Sequence, residues 1–296
     1  MKTRVISGTI YTAILVAFFC LKIFVHTFFF DALIYAFAII GTFEITRAFH
    51  DKLTKAQRII AIVFAMVCIP VCALTEEYFS LGLHFTGVCL FALAVCLLSL
   101  LVFDHDNTSV ESVGVAFLSA VYPTLLLCTL VLANHAPAIG ALAEVAFQSE
   151  LLILFIFVVS PLADVFAYLF GISLKKVFPK KLAPKLSPNK TIIGGIGGLV
   201  GGVIAACGLY FAYGALFGSY QNMSLWLPVY LVMGLLVAVA TAFGDLVESC
   251  IKRKVGIKDM GKIMPGHGGV LDRIDGVLFA SMVVYLAFSL VRMYII

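Results

Sequence analysis

The chain has 296 residues, 62% of them hydrophobic and only 12% charged, with a formal net charge of +4 and a mean hydropathy of +1.12. An ordinary soluble domain is about half apolar and about a quarter charged, so that class is excluded and an integral membrane protein is expected. A bilayer span takes roughly 20 mostly apolar residues, and the apolar stretches here are too many and too long to be core helices of one globular domain.

In chain order, apolar runs of spanning length fall at about 5–25, 27–44, 59–75, 79–103, 112–133, 151–171, 192–215, 225–248 and 275–295. The expected fold is therefore all-α, a single polytopic membrane domain of about nine transmembrane helices. Residues 1–150 form its N-terminal helices, and 151–296 carry the two distinctive loops. The first run follows Met1-Lys2-Thr3-Arg4 and resembles a signal peptide, yet no small-residue cleavage site follows, so it is read as the first membrane helix. The second run carries Asp31 and Glu44 and is the weakest span. Losing it would change the parity of the topology.

Cytoplasmic loops retain Lys and Arg, whereas translocated loops shed them. With nine spans and the N-terminus inside, 18 of the 20 Lys and Arg fall on the cytoplasmic side, the exceptions being Lys22 and Arg292. The loops around Glu76, Glu144 and Gln221 hold none, and the C-terminus is expected outside. The eight cysteines show no CxxC or Cys/His ligand spacing and read as small hydrophobes. Cys68 and Cys72 lie one turn apart, but with no His nearby they read as core, not as a metal pair.

Acids inside membrane sequence are rare and count as functional hypotheses. Asp164 lies in the sixth run, with Tyr168 one turn later and a kink expected at Ser160-Pro161; a structural hydrogen bond across the bundle is the competing account. The loop 172–191 carries six lysines and no acid. Lys175, Lys176, Lys180 and Lys181 read as anchors beside anionic headgroups, worth about 1 kcal/mol each. Ser187-Pro188-Asn189-Lys190-Thr191 reads as a rigid turn delivering a hydroxyl, a Lys and a Thr to the glycine-rich helix start Gly194-Gly195-Ile196-Gly197-Gly198. A helix N-terminus favours phosphate, while close helix packing is the other use of such glycines.

Asp245, Glu248, Ser249 and Lys252 stand at i, i+3, i+4 and i+7, a polar stripe on one helical face at the end of a span. A solvated helix end with an internal ion pair would account for it alone. The residues just C-terminal to the stripe argue for more: Lys258-Asp259-Met260-Gly261, then Pro265-Gly266-His267-Gly268-Gly269-Val270-Leu271-Asp272-Arg273-Ile274-Asp275. Glycines let backbone approach a ligand, and carboxylates such as Asp272 and Asp275 among Lys and Arg suit a hard divalent cation bridging phosphates, magnesium above all. His267 is the candidate general base; fixing the loop or donating to phosphate are its alternatives. A phosphate monoester has a second pKa near 6, so a nucleophilic phosphate needs no dedicated base.

The stretch from Ser249 to Asp275, S-x-x-K-R-x4-K-D-x-G-x3-P-G-H-G-G-x-x-D-R-x-D, resembles the signature of the phosphatidate cytidylyltransferase (CDP-diacylglycerol synthase) family. Asp164-Val165-Phe166-Ala167-Tyr168 and Ser187-Pro188-Asn189-Lys190-Thr191 resemble its other recurrent segments, in the expected order. Residues 1–150 match only as hydrophobic helices. Two departures are Ile193, where the family usually has Glu or Gln, and Ile172, where Arg is common.

The resemblance implies attack of the phosphatidic acid phosphate on the α-phosphorus of CTP, releasing pyrophosphate and forming CDP-diacylglycerol for phospholipid biosynthesis. It implies a metal centre held by Asp245 and Asp272 with Asp275 as helper, a magnesium ion with a companion potassium. Lys252, Arg253, Lys258 and Arg273 would neutralise the triphosphate, with His267 beside them. Ser187, Lys190, Thr191, Ser249, Asp259 and Asp164 would contact substrate. The implied partners are CTP, phosphatidic acid, membrane lipid and a second copy of the chain, with no nucleic acid. The implied location is a bacterial-type inner membrane, with the active site facing the cytoplasm.

A secondary transporter would distribute charges through its spans, whereas here the polar clusters sit at helix ends and loops. Among other membrane phosphotransfer enzymes, the CDP-alcohol phosphotransferase pattern D-G-x2-A-R-x8-G-x3-D-x3-D is absent, and so is a Walker-type loop that a lipid kinase could use.

Overall fold

A computed structural model of the chain describes residues 2–137, 148–184, 186–217 and 223–295. The expected loops around Glu144 and Gln221, and Lys185, lie outside the described residues. Among the described residues nine helices are long and apolar enough to cross a membrane, and each matches an expected span to within a few residues at most of its ends. The protein is an all-α integral membrane protein, with one small hairpin that the hydropathy pattern does not announce. In order the elements are α1 (Lys2–Phe24), α2 (Phe28–Ala48), α3 (Lys55–Phe79), α4 (Gly82–Phe103), α5 (Val110–Asn134), α6 (Ser149–Leu154), α7 (Ser160–Ser173), β1 (Lys181–Ala183), β2 (Ser187–Thr191), α8 (Ile192–Phe217), α9 (Met223–Val255) and α10 (Leu271–Ile295). The chain forms two compact units, Met1–His135 with Lys254–Ile274, and Ala136–Arg253 with Asp275–Ile296.

In the first unit α2 packs against both α3 and α5. Its most apolar window is 56% buried, against 6% for α1, which explains how a span tolerates Asp31 and Glu44: neither faces lipid. Asp31 accepts from Asn134 Nδ2 at 2.8 Å and pairs with His135 Nε2 at 2.6 Å; the other ring nitrogen of His135 pairs with Glu77 at 2.7 Å. Burial works against charge on His135, but the bonds and charges of the two carboxylates outweigh it and raise its pKa above the usual 6.5. Two capping boxes, Thr54 with Gln57 and Ser109 with Ser112, start α3 and α5, and Gln57 Nε2 donates to Ser112 Oγ at 2.8 Å, tying the two starts together. Cys68, Cys72 and Cys128 are buried among these helices, as expected of small hydrophobes.

In the second unit the sixth span runs from Ser149 to Ser173 through a π-turn at Phe155–Val159. The turn immediately precedes Ser160-Pro161, where the missing N–H and the ring of Pro161 disturb the helical ladder. The glycines of α8 serve packing. A Cβ on Gly197 would collide with Phe170 of α7, and one on Gly202 would meet the backbone of Gly234 on α9. Ser187–Thr191 is a strand paired antiparallel with β1, Lys181 opposite Thr191 and Ala183 opposite Ser187, where the sequence reads as a turn. In a two-stranded hairpin each strand has an open edge, so Pro188 costs no ladder bond.

Candidate active site

The first unit contributes the glycine-rich loop between α9 and α10. Pro265-Gly266 turns the chain back so that Met264 and Gly268 exchange hydrogen bonds of 2.9 and 3.1 Å. Gly256, Gly266 and Gly268 have positive φ, and at Gly268 (φ 93°) a side chain would also press on Asp272 Oδ2. Asp272 stands in the first turn of α10, where its Oδ2 accepts from the N–H groups of Met260 and Gly269, both at 2.8 Å. The expected metal carboxylate is thus also the knot of the loop.

His267 is held from two sides. Its carbonyl accepts from Arg273 Nη2 at 2.8 Å, and its Nδ1 lies 2.5 Å from Ser7 Oγ on α1. Ser7 Oγ also donates to Pro265 O at 3.1 Å, so one hydroxyl ties His267 to the turn that precedes it. The loop encloses a cavity of about 720 Å³ with Lys258, Lys262, Arg273, Asp259 and His267 in its walls. Exposed ammonium and guanidinium groups beside glycine backbone form an anion pocket of ligand size.

The second unit gathers the remaining expected residues. Lys190 on β2 forms an ion pair with Asp245 on α9, both half-buried. Ser249 Oγ donates to Asp245 Oδ1 at 3.2 Å. Lys252 Nζ meets Glu248 Oε2 at 2.8 Å, with Glu248 1% exposed. The predicted stripe therefore exists and pairs internally. Asp164 lies within electrostatic reach of Asp245, Asp275 and Lys190, and Asp275 is hydrogen-bonded to Glu248. Thr191 is buried, with its Oγ1 accepting from Gly194 N at 3.1 Å as the cap of α8, and Arg253 Nε reaches Leu186 O at 3.5 Å. Ser187 begins β2, three residues before Lys190.

Among the described residues this mutually interacting set holds four carboxylates, Asp164, Asp245, Glu248 and Asp275, against two ammonium groups, Lys190 and Lys252. Acids thus outnumber ammonium groups at this membrane helix end, a composition that suits a divalent cation. Also among the described residues, no three His, Cys, Asp or Glu side chains converge as a self-sufficient metal cage. That donor set fits magnesium, which takes one or two carboxylates and completes its shell with water and phosphate oxygens.

Two residues that the sequence pattern does not assign to the site belong with the loop, Ser7 and Glu44. Glu44 carries the signal that could have found it, an acid inside a span; Ser7 carries none.

Fold and site together define a polytopic membrane protein whose charged side chains are concentrated at helix ends and in one glycine-rich, cation-lined loop. The chain belongs to the cytidylyltransferase family, whose model matches residues 2–291. It is 44% identical over 127 residues to the phosphatidate cytidylyltransferases of Staphylococcus haemolyticus (strain JCSC1435) and Staphylococcus aureus (strain COL), covering 43% of this chain and 45% of each relative. It is 38% identical over 130 residues to that of Thermotoga maritima, covering 44% of this chain and 46% of the relative. The chain thus matches a little under half the length of these curated relatives.

Proposed function

We propose that the protein is a phosphatidate cytidylyltransferase, converting CTP and phosphatidic acid to CDP-diacylglycerol and pyrophosphate. The observation that carries this reading is the loop cavity, whose walls combine Lys258, Lys262 and Arg273 with close backbone approach at glycine. Those three cations receive the triphosphate and offset charge that develops on the departing pyrophosphate; in many enzymes such preorganised electrostatics contribute more to the rate than any other effect. Asp272 serves the same cavity by fixing the loop, and His267, held at Nδ1 by Ser7, orients a phosphate.

Asp245 is the residue that would hold magnesium, with Asp164 and Asp275 within electrostatic reach of it. Bound there, the ion would supply Lewis-acid polarisation of phosphoryl oxygens. An oxygen of the lipid phosphate forms the new bond to the α-phosphorus, the bond from that phosphorus to the bridging oxygen breaks, and pyrophosphate leaves with the electron pair. The lipid phosphate, with a second pKa near 6, is already largely ionised at neutral pH, so no residue is required as general base. The charge asymmetry of the loops supports a cytoplasm-facing site at headgroup level, where CTP arrives from the aqueous side.

Purified protein given CTP, phosphatidic acid and magnesium is expected to release pyrophosphate and form CDP-diacylglycerol in equal amounts. Absence of pyrophosphate release across varied lipids and metals would remove the claim, and phosphate transfer from a nucleotide to a lipid would replace it with a kinase.

A further inference from the structure

Glu44 lies near the end of α2, 2% exposed, in a stretch of sequence that hydropathy reads as a membrane span. Both of its carboxylate oxygens are used. Oε1 accepts from the N–H of Val270 at 3.0 Å and Oε2 from that of Leu271 at 2.9 Å, two of the donors that the start of α10 leaves without helical partners. The carboxylate also fills the space beside Gly261 and Gly269, where any Cβ would collide with it. The adjacent N–H, that of Gly269, goes to Asp272 instead, together with that of Met260. Two carboxylates therefore divide four backbone donors of the glycine-rich segment. One comes from α10 itself and the other from a helix more than two hundred residues away, with a sequence separation of 226.

A negative group at a helix N-terminus is favourable, but a glutamate buried between helices is a costly way to obtain a cap that an exposed serine could supply. Its extra effect is geometric. By gripping residues 270 and 271 from outside the loop, Glu44 sets the direction in which α10 begins. That direction sets where Asp272 meets the N–H groups of Met260 and Gly269, and hence the shape of the cavity wall.

We propose that Glu44 is a positioning residue of the cytidylyl-transfer site. Through the start of α10 it holds the glycine-rich loop and Asp272 in their working shape, an inference that rests on the function proposed above. Glu44→Gln keeps the volume but turns an amide donor toward one of the two backbone donors. Glu44→Asp keeps the charge on a side chain one methylene shorter.

The test measures hydrogen exchange of the 269–271 amides and steady-state kinetics in the full-length protein with CTP, phosphatidic acid and magnesium. For Glu44→Gln the exchange is expected to quicken by about tenfold and kcat to fall by about tenfold or more, while KM for phosphatidic acid stays within about twofold. Glu44→Asp is expected to recover part of kcat. Unchanged exchange in the Gln variant overturns the cap, and unchanged kcat with quickened exchange overturns the positioning role. Failure of both variants to fold would make Glu44 purely structural and also overturn it. A wild-type protein that is inactive in this assay sinks the proposed function instead, and the exchange measurement still decides the cap.

Discussion

The two units handle buried negative charge in opposite ways. In the first, Glu44 and Asp272 are matched by four backbone N–H groups, from Met260, Gly269, Val270 and Leu271. Backbone donors cannot swing away, so these carboxylates act as fixtures. In the second, the acids Asp164, Asp245, Glu248 and Asp275 lie with Lys190 and Lys252, ammonium groups on flexible stems. A region that is saturated by its own backbone is built to hold a shape. One whose acids meet movable counter-ions can exchange partners, as the proposed binding of a cation and phosphates would require.

The largest expected effect comes from breaking the acid-rich side. Asp245→Asn should lower turnover by on the order of 10²–10³-fold, as loss of a principal electrostatic group does. It should leave the thermal midpoint unchanged or slightly raised, because it relieves repulsion from Asp164 and Asp275. A substantial drop in the midpoint would show that Asp245 is a fixture after all. Intermediate in size is the backbone-saturated side. Asp272→Ala strips acceptors from the N–H groups of Met260 and Gly269 and should cost about 1–3 kcal/mol of stability, read by denaturation in detergent. Asp272→Asn retains one acceptor oxygen, so it should spare most of that stability and, because the loop keeps its shape, lower turnover less than Asp272→Ala does. Equal stability of the Ala and Asn variants would contradict the assignment of Asp272 as the knot of the loop.

The smallest effect is expected at His135, where a carboxylate pair is matched by a titratable cation. Its pKa is raised in the folded protein by Asp31 and Glu77, so its stabilising contribution is complete below the usual value of 6.5 and is lost as pH climbs through the raised one. Thermal midpoints should therefore decline as pH rises above 6.5, and His135→Ala should flatten that decline. A profile identical in the variant would mean that His135 carries no linked proton.

Much of the candidate site is legible in the primary structure because its residues are close together in the chain. The Asp245–Lys252 stripe follows from helical spacing, and Asp272 near a helix start follows from the glycine-rich run before it. The ambiguous cases are those in which one residue type serves two purposes. Thr191 and the glycines after it suit either phosphate or packing; Thr191 caps α8, and Gly197 and Gly202 admit neighbouring helices. Lys190 stood among six lysines of one loop, and only its ion pair with Asp245 sets it apart.

The primary structure is sufficient for the membrane class, the nine expected spans and the location of the glycine-rich loop. Each depends on hydropathy or on local spacing, which act over a few turns of chain. Tertiary structure was needed to show that Glu44 caps α10, that Ser7 holds Nδ1 of His267, and that Lys190 meets the acidic cluster. Hydropathy counts an acid in a span merely as a penalty. Whether that acid is a flaw or a fixture depends on which backbone donors the fold brings to it from a distant part of the chain.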